Sequence, residues 1–165
     1  MNHLRVTSMK SSFVLICALA LIGGRSQLAA ADPAPAPRTV KIKSGVDNAM
    51  KFNVGVITAA PGETIKVVLT NATTLPKEVM GHNWVLLTAG TDPVAFAAAA
   101  TGDAANGYIP AKLKEKVLAV IGLLGPNEIG EVTFKVPSAA GEYPFLCSFP
   151  AHCVIGMKGM LVVKK

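Results

Sequence analysis

The chain has 165 residues, 51% hydrophobic, 16% charged and 5% aromatic, which is one domain's worth of protein and excludes intrinsic disorder. A formal charge of +6 admits a nucleic-acid partner, but two tyrosines and one tryptophan leave no interleaving of aromatic with basic residues, and that class is set aside. Three cysteines are too few for a disulfide scaffold and lack the CxxC pairing of structural zinc sites.

The first element is an address. Arg5 and Lys10 precede an uncharged run from Ser11 to Gly24, and Ala29-Ala30-Ala31 follows. A basic start, an apolar centre and small residues before the cut mark a secretory signal, residues 1–31, cleaved after Ala31. A spanning helix needs about 20 apolar residues, and Arg25 ends this run early; an uncleaved anchor is the competing reading. Cleavage removes three bases and none of the ten acids, so the formal charge falls to +3. Residues 32–38 then read as an extended Pro/Ala linker, because proline fixes φ and cannot pair in a sheet. The folded domain is expected from Thr39 to Lys165.

Short β-runs follow. Thr39–Lys43 and Met50–Val54 alternate apolar with polar residues, Ala60–Glu63 is a turn, and Thr64–Thr70 is rich in β-branched residues. His82–Thr88, Glu131–Val136, Gly141–Leu146 and Gly159–Lys164 complete the set. The spacing predicts an all-β antiparallel sandwich with Greek-key connections. Asp92–Ala100 departs from it: Asp92 can cap a helix, Pro93 suits its first position, and the alanines favour its interior. Residues 90–115 are therefore expected as a partly helical flap outside the sandwich.

Chemistry concentrates in a few side chains. His3 leaves with the signal, so His82 and His152 are the histidines that remain, beside Cys147 and Cys153. Cys147, His152 and Met157 fall in one C-x4-H-x4-M segment between two strands, and His82 stands on another strand. A thiolate, two imidazoles and a thioether suit copper cycling between Cu(I) and Cu(II). Thioether is a poor zinc ligand, and structural zinc sites use cysteine and histidine alone.

Val79-Met80-Gly81-His82-Asn83-Trp84-Val85-Leu86, preceded by Leu75-Pro76-Lys77, resembles the first-ligand segment of azurins. Cys147-Ser148-Phe149-Pro150-Ala151-His152, with Met157-Lys158-Gly159 beyond it, resembles the azurin copper loop. Azurins space this loop C-x4-H-x3-M, whereas C-x4-H-x4-M resembles auracyanins. The resemblance spans most of Thr39–Lys165 and implies a Greek-key cupredoxin β-sandwich holding one type 1 (blue) copper. It implies His82, Cys147 and His152 as equatorial ligands, Met157 as the long axial ligand and the Gly81 carbonyl as a second axial contact. It further implies Asn83 as a brace to the ligand loop and the Phe149 amide as a donor to the Cys147 sulfur.

In such proteins the loop histidine reaches the surface within an apolar patch, which here would comprise Met80, Phe149, Pro150 and Ala151 around His152, joined by Val154. The expected function is single-electron transfer with a redox protein such as a c-type cytochrome, an oxidase or a reaction centre, in the periplasm or another exported location. Four protein ligands leave no open position for catalysis, and no Ser/His/Asp set can be assembled, so an enzyme is not expected. Two other classes stay open: a copper-delivery protein, and a thiol-disulfide switch between Cys147 and Cys153. Cys153 itself reads as a buried inert thiol, as a partner for Cys147 when copper is absent, or as a link between two molecules.

Overall fold

Strands in which every second residue is apolar bury one face each, and the computed structural model, which describes residues 36–165, packs them as two sheets. Strands β1 (Arg38–Ser44), β3 (Thr64–Asn71) and β6 (Ile129–Lys135) form a three-stranded sheet in the order β1-β3-β6. Strands β2 (Val56–Ala59), β4 (His82–Leu87), β5 (Val117–Leu124), β7 (Gly141–Leu146) and β8 (Lys158–Val163) form the second, in the order β2-β8-β7-β4-β5. Ile42, Ile65, Val67 and Leu69 from the first sheet meet Trp84, Leu86, Tyr143, Phe145 and Leu161 from the second in one core. Each such side chain contributes roughly 1.5–3 kcal/mol on burial.

Both sheets are mixed rather than purely antiparallel, which corrects the expected pairing. β1 runs parallel to β3, from Arg38 opposite Ile65 to Ser44 opposite Asn71, and β2 runs parallel to β8. The cause is the connection. The chain leaves β1, passes through β2 in the opposite sheet and returns as β3 alongside its starting strand, so the two share a direction.

Two segments differ from the expected elements. Met50–Val54 alternates but makes only one bridge, Ser44 to Phe52. Asn53 pins it to the end of β1, donating from its amide to the Lys43 carbonyl (3.0 Å) and accepting the Lys43 amide on its side chain (2.7 Å). The strand proper begins at Val56. Val117–Leu124 is a full strand, β5, to which the sequence reading assigned nothing. Ala119 and Ile121 face the core, while outward Leu118 and Val120 are also apolar, so the two-residue period is hidden.

The flap forms as expected. Helix α2 (Pro93–Ala100) starts where Asp92 accepts the Val94 amide at 2.8 Å, and Pro93 occupies its first turn. Phe96 and Ala97 cover Val85 and Leu87, so β4 is buried on both faces. Two 3-10 turns, Ala104–Asn106 and Ala111–Lys116, lead to β5. Residues 1–31, where the signal peptide was read, and the linker up to residue 35 lie outside the described residues; Arg38 already belongs to β1. Among the described residues no helix is long and apolar enough to cross a membrane.

Candidate metal centre

Two local devices bring the four candidate donors to one end of the sandwich. The first is the one-turn helix α1 (Lys77–Met80), which ends at Gly81 and delivers His82 to the start of β4. A side chain at 81 would strike the Lys77 carbonyl at 2.5 Å and Leu123 at 2.9 Å, so the turn closes only around glycine. The second is the loop from Cys147 to Met157, whose ends are joined by the Cys147 amide donating to the Met157 carbonyl at 3.0 Å. Inside it the His152 amide donates to Phe149 (3.1 Å) and the Met157 amide to His152 (2.9 Å). Ala151, in the left-handed region at φ 69, starts the one-turn helix α3 (His152–Ile155).

All four side chains are buried, His152 at 2% exposure and the others at 0%. The Cys147 sulfur lies 3.5 Å from His152 Nδ1, and the His82 and His152 rings stand edge-on with centroids 5.0 Å apart. Met157 packs with Cys147 and Phe149 in one cluster. Burial, reinforced by the facing His152, pushes the His82 imidazole down to about 4, and burial takes His152 to about 4 as well. Burial pushes the Cys147 thiol up to about 12, against the Asn83 and Phe149 amides, which donate to its sulfur. Near neutral pH the metal-free centre thus holds two uncharged imidazoles and a protonated thiol.

Those imidazoles test the fit to a metal. Both ring nitrogens of His82 are buried and have no hydrogen-bond partner among the described residues, a condition that costs about 1–3 kcal/mol. No three His, Cys, Asp or Glu side chains among the described residues form a ready-made ligand cluster. The thiol and His152 are drawn together by their own hydrogen bond instead. The donor chemistry nonetheless fits copper: the unengaged His82 nitrogens, a second imidazole on His152, a thiol that becomes a soft thiolate and a thioether beside it.

The surroundings fix the donors. Asn83 is fully buried and its side-chain amide donates to Ser148 Oγ (2.8 Å) and the Gly107 carbonyl (3.1 Å), while its oxygen accepts the Ser148 amide (2.8 Å). Ser148 Oγ in turn donates to the Tyr108 carbonyl at 2.6 Å. The brace therefore reaches the flap as well as the ligand loop, a role for Ser148, Gly107 and Tyr108 that no sequence motif announced.

The expected surface patch is changed. His152 is almost wholly covered, and Phe149 is buried at 8% exposure with its ring against His152 (centroids 4.7 Å) and Tyr108 (5.0 Å). Met80 and Pro150 are half-buried and Ala151 is exposed; the large exposed apolar side chains on α1 and α3 are Val79, Val154 and Ile155. Aromatic packing within the loop turns Phe149 inward and leaves α3 outward. Cys153 is a free, fully buried thiol in the flap cluster, its S–H donating to the Pro93 carbonyl at 3.4 Å.

The sequence model of copper binding proteins, plastocyanin/azurin family, matches residues 39–164. Azurin of Pseudomonas fluorescens biotype A is 41% identical over 121 residues, covering 70% of this chain and 91% of that protein. Auracyanin-A of Chloroflexus aurantiacus is 35% identical over 130 residues, covering 77% and 75%. A solved structure of auracyanin B superimposes with a TM-score of 0.68 at 31% identity, over 79% of this chain and 92% of that one. Family model, relatives and fold agree, and the chain belongs to the plastocyanin/azurin family, the cupredoxins that carry one copper per chain and transfer electrons.

Proposed function

We propose that His82, Cys147, His152 and Met157 would hold a copper ion, with the Gly81 carbonyl as a further contact. The observation that carries this reading is the buried His82 ring, whose two nitrogens have no partner beside the Cys147–His152 pair. Copper supplies one-electron cycling between Cu(I) and Cu(II). The protein's part is to keep the donors still: thiolate and thioether suit Cu(I), imidazole serves both states, and the Asn83–Ser148 brace resists rearrangement between them.

On this reading the chain is an exported carrier, cleaved after Ala31, and not an enzyme, since four protein donors occupy the metal. It passes single electrons to or from a periplasmic redox protein such as a c-type cytochrome, an oxidase or a reaction centre. Exposed Val79, Val154 and Ile155, with Met80, Pro150 and Ala151, offer the small apolar surface that suits brief redox encounters. The Cys153 thiol, engaged with the Pro93 carbonyl in the flap, weighs against a switch with Cys147.

The test is the visible and EPR spectrum of residues 32–165 after addition of Cu(II). An intense thiolate–copper band with narrow copper hyperfine splitting, lost in His82→Ala and Cys147→Ser, is expected. A colourless protein, or one whose thiols have oxidised to a Cys147–Cys153 disulfide, overturns the reading.

A further inference from the structure

A metal-bound histidine ordinarily donates its second ring N–H to a carboxylate, carbonyl or water, and that bond sets the ring's direction. His82 has no such bond among the described residues. Something else must aim it, and the surrounding contacts show what.

Gly45 opens a turn at Val46–Asn48, directly after β1, and lies in the left-handed region at φ 66. A Cβ at this position would meet His82 Cε1 at 2.9 Å, Asn71 Oδ1 at 2.8 Å and the Thr73 amide at 3.0 Å. The backbone of Gly45 is thus pressed against the ring edge of His82, with Asn71 in the same contact. The turn is anchored hard for so short a segment. Asn48 Oδ1 accepts from Thr73 Oγ1 (2.8 Å) and from the Thr74 amide (2.9 Å), and the Ala72 amide donates to the Ser44 carbonyl (2.8 Å).

Asn71 is the post behind this wall. It is fully buried, its Oδ1 accepts the Thr73 amide (3.2 Å), and its Nδ2 donates to the Leu124 carbonyl (3.0 Å) and, at 3.5 Å, to Met80. Its backbone donates to Glu128 and accepts from Asn127. Leu124 is the cross-strand partner of His82 itself, and Met80 lies two residues before it. One side chain therefore holds the strand opposite His82 and the turn leading into it, and meets the glycine that abuts its ring.

We propose that Gly45 and Asn71 are positioning residues for His82, replacing by packing the hydrogen bond that its ring lacks. The inference rests on the reading of His82 as a copper ligand. A side chain at 45 displaces the imidazole; loss of Asn71 frees it. Either change weakens an imidazole donor and leaves thiolate and thioether to dominate, which favours Cu(I).

Gly45→Ala is expected to shift the Cu(I)/Cu(II) equilibrium toward Cu(I) by tenfold or more, ~59 mV for one electron, and to widen the copper hyperfine splitting. Asn71→Ala moves both in the same direction. Gly90→Ala is the control: Gly90 is also left-handed (φ +74) but has open space around it, so it carries the backbone strain without the His82 contact. A Gly45→Ala protein with the parent's potential and hyperfine splitting, or an equal shift in Gly90→Ala, overturns the proposal. An NMR cross-peak between the Gly45 Hα and His82 Hε1 protons in the metal-free protein reads the contact without copper and without any variant; its absence overturns the proposal too. A parent protein with no thiolate–copper band overturns the ligand reading instead, and the two failures are thereby told apart.

Discussion

Asn83 and Ser148 are bonded twice across the centre, the Ser148 amide to Asn83 Oδ1 and Asn83 Nδ2 to Ser148 Oγ, both at 2.8 Å. One strand and the ligand loop are thus tied by a side chain adjacent in sequence to His82 and another adjacent to Cys147. Asn83→Ala leaves the Ser148 amide and the Gly107 carbonyl without their buried partner and is expected to cost about 2–4 kcal/mol in the metal-free protein. Ser148→Ala costs less, about 1–2 kcal/mol. Denaturant unfolding of both and of the double variant is expected to show coupling of about 0.5–3 kcal/mol.

The buried donors make the metal-free protein most stable in a middle pH range. Both imidazoles titrate at 6.5 in an open chain but near 4 in the fold, so the unfolded state binds protons first as pH falls. Stability then drops from pH 6.5 to 4, by at most ~1.4 kcal/mol per pH unit for each histidine. The Cys147 thiol, raised from 9.0 to about 12, ionises first in the unfolded chain, so stability also falls above pH 9. Thermal melts across pH check both limbs. Copper uptake at neutral pH should release close to one proton per ion, since only the thiol has one to lose; titration in lightly buffered solution counts it.

For Cys153, the buried position predicts inertness. Cys153→Ala is expected to cost about 1 kcal/mol through the small void it leaves and to keep the visible band and the potential of the parent. Burial raises the thiol's pKa, so alkylating reagents should reach it only on unfolding. Rapid modification of the native protein, or a changed spectrum, would contradict this.

Trp84 is fully buried, its indole N–H has no hydrogen-bond partner among the described residues, and its ring packs near Phe145 (5.4 Å) and Phe134 (6.1 Å). Its emission is expected at the short-wavelength limit for indole. Trp84→Phe discards no hydrogen bond and should cost about 1–2 kcal/mol through volume alone. Trp84→Ala should cost about 3–5 kcal/mol.

The candidate donors stand out in the sequence because cysteine and histidine are scarce in this chain and the spacing is tight: two Cys, one His and one Met on a single loop. The cap of α2 was legible for a local reason, Asp92 followed by Pro93. Strand β5 was not, because Leu118 and Val120 are apolar on the outer face and erase the alternation. Parallel pairing of β1 with β3 depends on where an intervening strand goes, which no window of sequence contains. Phe149 reads as a surface residue until Tyr108, distant in sequence and in the flap, is seen to cover it. Gly45 is likewise far from His82 in sequence, and nothing in the neighbourhoods of Gly45 or Asn71 announces a metal.

The clasp between the Cys147 amide and the Met157 carbonyl sits immediately inside the paired residues Leu146 and Lys158, where β7 ends and β8 begins. Within that clasp the chain leaves the β7–β8 ladder and is tied back to β4 through Ser148 on Asn83 and Cys153 against Val85 and Leu87. The residues between His152 and Met157 lie in the single turn of α3 and at Gly156, clear of the β7–β8 register. The β7–β8 register can thus stand unchanged while the loop between its ends varies in length, provided Ser148 keeps its hold on Asn83.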